Sequence, residues 1–175
     1  MLAATRTLLA SGGYSALTFS EVAQHAGVTR QLVHRWWSAK SALVSEALFT
    51  APGTTWPTTY DGPLEADLRR FLTALVDYAC RDEVRAGVIG LMSDAETVTE
   101  LPGLEEGLLH PLEESLRALV DAGVERGEAR PDVDVRLTLN TLRGAVTMHL
   151  IADLTPRDVI VDHLTDLAHG ALLKH

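Results

Sequence analysis

Between residues 18 and 43 the chain spells two short helices and the tight turn that joins them, and this spacing constrains the fold more than any other feature. Thr18-Phe19-Ser20-Glu21 has the form of a capping box: the threonine hydroxyl accepts an orphan amide of the first turn while the glutamate reaches back. Ala23 is small where the first helix must approach the second. Gly27, four residues on, can take the positive φ that such a turn demands, and Thr29 is placed to cap a second helix running through Trp36. Val28, Val33 and Trp37 fall on one side of that helix and can plug a core with Val22, Ala26 and Leu43. Arg30, Gln31, His34 and Trp36 are displayed on the other side. Two helices crossing closely at a turn, with the second one exposed, form the geometry that enters a DNA major groove.

Gly and Pro punctuation divides the remainder into further helices, and no strand pattern appears. A first helix is expected over residues 1–11, stopped by Gly12-Gly13, and a fourth from Ala39 to about Phe49, capped by Ser38. The stretch TAPGTTWPTTYDGP, residues 50–63, is linker-like. Helices are then expected over Leu64–Cys80, Glu83–Asp94, Leu104–Arg126 (kinked or broken at Pro111), Asp134–Asp153 and Arg157–Leu173. Asp132 or Asp134 can cap the penultimate helix, and Thr155-Pro156-Arg157-Asp158 reads as another capping box before the last. The expected fold class is all-α with about nine helices, divided into an N-terminal domain over 1–49 and a helical domain over 50–175.

The formal charge of −9 argues against a nucleic-acid partner until its distribution is read. Residues 1–49 carry Arg6, Arg30, Arg35 and Lys40 against Glu21 and Glu46, a balance of +2, which leaves −11 for the rest. A basic head on an acidic body suits DNA binding, because only the contact surface must neutralise phosphates. A composition 46% hydrophobic supports a continuous core, yet no window holds the roughly 20 uninterrupted apolar residues of a membrane span. Cys80 is the single cysteine, which excludes an internal disulfide and a cysteine-based zinc site and points to a reduced, cytoplasmic setting. It has no activating basic neighbourhood, and neither a G-x-S-x-G elbow nor a Gly-rich phosphate loop appears, so no enzyme and no cofactor are expected. Asp162, Asp166 and His169 share a helix face but read as solvated surface, and no metal site is expected.

The run GGYSALTFSEVAQHAGVTRQLVHRWWSAKSALVSEAL resembles the N-terminal domain of the TetR (tetracycline-repressor-like) family, with Gly13, Thr18, Val22, Ala23, Ala26, Gly27, Val28, Val33, Lys40 and Leu43 in agreement over about residues 2–49. Two positions depart: His34 stands where the family usually has a tyrosine that contacts phosphate, and Trp37 where it has phenylalanine. The basic arm that many relatives place before the first helix is not seen, which leaves minor-groove contacts open. The resemblance implies that Thr18, Thr29, His34 and Lys40 hold the phosphate backbone, with Arg30 and Gln31 as base readers and Trp36 packed on the sugar-phosphate.

VERGEARPDVDVRLTLNTLRGAVTMHLI and TPRDVIVDHLTDLAHGALL look like the last part of some TetR proteins, where the final two helices pair with their mates in a dimer. The resemblance therefore implies a homodimer through Leu142, Val146, Ile160, Leu164, Leu167 and Ala171, on the apolar stripes of those helices. It also implies a small apolar or amphipathic effector bound among the middle helices, with Trp56, Tyr78, Cys80, Met92, His110, Met148 and His149 as candidate lining residues. The function expected is that of a ligand-responsive regulator, a repressor that binds a palindromic double-stranded operator as a dimer and is released by an effector.

Overall fold

The computed structural model describes residues 1–53, 55–94, 105–152 and 155–173. These contain nine α-helices: α1 (Leu2–Ala16), α2 (Phe19–Ala26), α3 (Arg30–Trp36), α4 (Lys40–Phe49), α5 (Leu64–Ala79), α6 (Asp82–Ser93), α7 (His110–Glu125), α8 (Val135–Ala152) and α9 (Arg157–Leu172). A short π-helical turn, Glu105–Leu109, precedes α7 where a break at Pro111 was expected. Among the described residues the β-type pairing is one isolated bridge, Ala129 with Leu173. None of their helices is long and apolar enough to cross a membrane. The expected helix ends at Leu104 and Asp153 lie outside the described residues.

The chain forms two compact units, Met1–Gly53 with Cys80–Leu109, and Thr54–Ala79 with His110–His175. The expected single division at residue 49 does not follow this packing, because α6 belongs with the first four helices. Two glycines explain why. A Cβ on Gly90 would sit 2.0 Å from Tyr14 Cγ of α1, and one on Gly87 would sit 2.5 Å from Leu48 Cδ1 of α4. The bare face of α6 thus lets its backbone settle onto both helices. Leu9, Leu17, Val22, Val33, Leu43, Val44 and Leu48 are buried in this unit. Arg6 ties α1 to α4 by donating from Nη1 to the Ala47 carbonyl at 2.9 Å, which satisfies one of the orphan acceptors near the end of α4.

In the second unit α5 packs on α7, α8 and α9. Its buried residues Leu64, Leu68, Phe71, Leu72, Leu75 and Val76 recur at helical spacing, as burial of one face requires. Residues 55–63 are not a loose linker. Trp56 and Tyr60 are buried, the Tyr60 hydroxyl bonds Ser115 Oγ at 2.7 Å, and Ser115 in turn donates to the Pro57 carbonyl at 2.5 Å. The sequence ERGEARPD closes the same unit by local chemistry. Gly127 takes a φ of 73° after α7, Glu128 accepts the otherwise orphan amide of Leu64 at 2.8 Å, and Arg126 reaches the Tyr60 carbonyl and buried Asp67.

The expected stop at Gly12-Gly13 marks a break inside α1, where Gly13 takes a non-helical φ of 74° before helix resumes to Ala16. Two capping expectations are corrected. Ala39, not Ser38, is the N-cap of α4, and no side chain caps it. Pro156 takes the N-cap of α9 without a side-chain bond, so the Thr155 capping box does not form. Asp134 does cap α8, accepting the Leu137 amide at 2.8 Å.

Candidate nucleic-acid interface

The turn between α2 and α3 is built by local bonds that the sequence specifies. Thr18 Oγ1 accepts the Glu21 amide at 3.2 Å, and Glu21 Oε2 accepts both the Thr18 amide and its hydroxyl at 2.9 Å. At the far end Gly27 adopts a left-handed φ of 66°, which lets the Val28 amide bond the Ala23 carbonyl at 2.9 Å and closes the helix end. Thr29 Oγ1 then accepts the Leu32 amide at 3.3 Å and starts α3. Val33 and Trp37 are buried beneath, with the Trp37 indole N–H donating to Glu46 at 2.7 Å. What remains outside is the opposite face of α3.

That face carries two pairs spaced by four residues, Arg30 with His34 and Gln31 with Arg35, all exposed. Trp36, 67% exposed, follows at the helix end. Arg35 was not among the expected contacts; its place one turn beyond Gln31 was the signal for it. A surface of two guanidiniums, an amide and an imidazole offers donors suited to phosphates and to purine edges.

Other candidates are held by the protein itself. The Thr18 hydroxyl hydrogen is directed at Glu21, whereas the Thr29 hydroxyl accepts only and keeps its hydrogen for a partner such as a phosphate. Lys40 Nζ donates to the Tyr14 carbonyl at 3.2 Å and lies 4.1 Å from the centre of the Tyr14 ring. The ammonium is thus anchored at the end of α1 with donors left over for a phosphate. Tyr14 in turn donates its hydroxyl to Asp94 at the end of α6. His34 is also engaged: it accepts from Arg30 Nε at 3.2 Å, and its ring meets Phe19 of α2 edge to face at 4.5 Å.

The residues expected to line an effector pocket are spread over both units. Cys80 and Met92 belong to the first, with Met92 solvent-facing; burial pushes the Cys80 thiol up, partly countered by Arg85. In the second, Tyr78 is buried with its ring 5.4 Å from that of Trp56, and Met148 is exposed. His149 is half-buried there, and exposed His110 stands 3.3 Å from Glu114. Of the seven, Trp56 alone lines the open groove of ≈ 630 Å³ in the second unit, which Pro57, Ala66, Arg69, Arg70 and Asp77 also help to form.

The expected dimer stripes are corrected in the same way. Leu142, Val146, Ile160 and Leu164 are buried within the protomer and have no area left for a partner. Leu167 and Ala171 are exposed, together with Leu137 and Met148 on α8 and Val159 on α9.

The chain matches two family patterns: "Bacterial regulatory proteins, tetR family" over residues 1–47 and "Tetracyclin repressor-like, C-terminal domain" over residues 60–168. It is 23% identical over 178 residues to the HTH-type transcriptional regulator YdeS of Bacillus subtilis, covering 98% of this chain and 85% of that one. It is 26% identical over 150 residues to the HTH-type transcriptional regulator AqdR of Rhodococcus erythropolis, covering 86% and 72%. Among solved structures, a TetR transcriptional regulator from Agrobacterium tumefaciens superimposes with a TM-score of 0.74 at 19% identity, over 99% of this chain and 92% of that chain. The helix-turn-helix of α2 and α3, the all-helical second unit and these matches together show that the chain belongs to the TetR family of bacterial transcriptional regulators.

Proposed function

We propose that this regulator is a repressor that binds a two-fold symmetric operator as a homodimer and is released by a small, neutral effector. The observation that carries the DNA reading is the exposed strip of Arg30, Gln31, His34 and Arg35 on α3, in a chain whose charge outside residues 1–49 is strongly negative. Electrostatic attraction is then confined to one surface, and recognition has donors on which to act. The large apolar side chains left exposed on α8 and α9, Leu137, Met148, Val159 and Leu167, support self-association, because a partner would remove them from water. A dimer must hold its recognition helices about 34–36 Å apart, or a longer multiple of the DNA turn, to meet successive major grooves.

The groove in the second unit supports the effector reading. It has an apolar wall in Trp56 and Pro57 and a volume in the range of ligand sites. Its charges are already paired, Arg69 with Asp162, Arg157 with Asp77, and Arg70 with Asp67, so an uncharged ligand fits better than an ionic one. Release follows only if the ligand prefers a conformation that spoils the helix spacing. Leu48 of α4 lies against α6, so a shift of either helix is passed to the other.

Selection of bound duplexes from a random pool tests the proposal. The expected result is a palindromic site with half-sites one helical turn or a multiple apart. No enrichment at low salt, or an unpaired half-site, would overturn it.

A further inference from the structure

Arg30 and His34 sit one turn apart on α3, and their contact has a chemical direction. A guanidinium has no acceptor, so the bond from Arg30 Nε to His34 Nε2 at 3.2 Å requires a bare lone pair on that imidazole nitrogen. Such a bond forms only to the neutral imidazole that carries its hydrogen on Nδ1. The ring is oriented from a second element, since Phe19 of α2 meets it edge to face with planes 78° apart. The arginine side chain, which has many rotamers when left alone, is thus pinned by a partner that is itself held. The ionisable groups near the imidazole are few. On α3 they are Arg30 and Arg35; on α2, the helix packed against it, they are Glu21, whose carboxylate is bonded to Thr18, and His25 in the last turn.

We propose that His34 is a positioning residue for Arg30 and that its protonation gates base reading. Neutral His34 holds the guanidinium in one pose. A proton taken from solvent at Nε2 removes the acceptor and sets two cations side by side, so Arg30 is released. The same proton adds a positive charge to the face that meets phosphates. Two opposite consequences follow from one event. Discrimination between DNA sequences falls as pH falls, and affinity for DNA of any sequence rises. This inference rests on the reading of Arg30 as a base contact.

The experiment measures affinities of the full-length protein for two duplexes, the one selected from the random pool at about pH 8 and a scrambled version, at about pH 8 and about pH 5.5, on either side of ordinary histidine titration. In the wild type the ratio of the two affinities is expected to fall about tenfold on acidification, within the range that one Arg–guanine pair supplies, while binding to the scrambled duplex strengthens. His34→Gln retains an acceptor for Arg30 but cannot titrate, so its ratio should stay high and flat with pH. His34→Leu has no acceptor, so its ratio should be low at both pH values. A role for His34 in folding alone would lower both affinities and leave the ratio unchanged. The proposal is overturned if wild type and His34→Gln show the same pH dependence, or if His34→Leu keeps the wild-type ratio at about pH 8. Arg30→Ala separates the two layers: if it selects the same site as the wild type, the base-reading assignment itself has failed. If it loses discrimination while both His34 variants follow the wild type, only the positioning role has failed.

Discussion

Tyr14 carries more of the first unit than its position in a Gly-Gly-Tyr turn suggests. Its ring fills the space that Gly90 leaves bare, its carbonyl anchors Lys40, and its hydroxyl donates to Asp94. Burial, and then the Asp94 carboxylate, push the hydroxyl well above the ordinary tyrosine range. A group whose pKa is raised on folding contributes stability that is complete below its unfolded value. That contribution is lost as pH rises through the folded one. The loss should therefore begin above about pH 10, the ordinary tyrosine value. Tyr14→Phe is expected to destabilise the protein by about 1.5–3 kcal/mol at neutral pH, as loss of a hydrogen bond to a charged group does. The urea midpoint of the wild type should then fall toward that of the variant at alkaline pH. Parallel curves for the two proteins between about pH 8 and pH 11 would show that the Asp94 bond contributes nothing.

At the scale of elements, α6 decides how the first unit is closed, and the same glycine-to-alanine substitution has opposite effects in α6 and in α1. Gly90→Ala drives a methyl group into a ring held by Lys40 and Asp94, and overpacking of this kind costs about 1–3 kcal/mol. Gly12→Ala, in α1, meets only Ala16 Cβ at 3.5 Å and removes backbone freedom from the unfolded chain, so it should stabilise by about 0.5–1 kcal/mol. Urea denaturation of the two variants checks both signs. A neutral Gly90→Ala would mean that α6 is not seated against Tyr14. The α2–α3 turn was legible because every bond in it joins residues at most five apart. The seating of α6 was not, because glycines in an apolar helix do not say which helix approaches them.

For the whole molecule, the last two helices divide their apolar residues between an interior and an exterior. Leu164 is 1% exposed and Leu167 is 55% exposed, although both lie on the apolar stripe of α9. Leu164→Glu should unfold the second unit, because it buries a charge without a partner. Leu167→Glu should leave the helical signal intact and shift sedimentation from dimer to monomer at micromolar concentration. A folded, dimeric Leu167→Glu protein would move the interface elsewhere. Sequence periodicity identified both residues as apolar and could not separate them. A helix with more apolar positions than one core face needs has two coverings, and only packing assigns each residue to its own.

The sequence by itself determined the helix-turn-helix, its exposed face and the all-α class. Capping hydroxyls, a left-handed glycine and helical spacing act over a few residues and mean nearly the same thing in any fold. The structure decided which cations are available: Lys40 and Arg6 are engaged with backbone carbonyls, and Arg30 is held by His34. It also decided that residues 55–63 dock on the second unit, that α6 belongs to the first, and that Leu142, Val146, Ile160 and Leu164 are interior. Each of these depends on a partner distant in sequence or on the pose of a long side chain. A pattern of residue types records that a group is apolar or charged. What covers it, or what it bonds, is set only when the chain has closed around it.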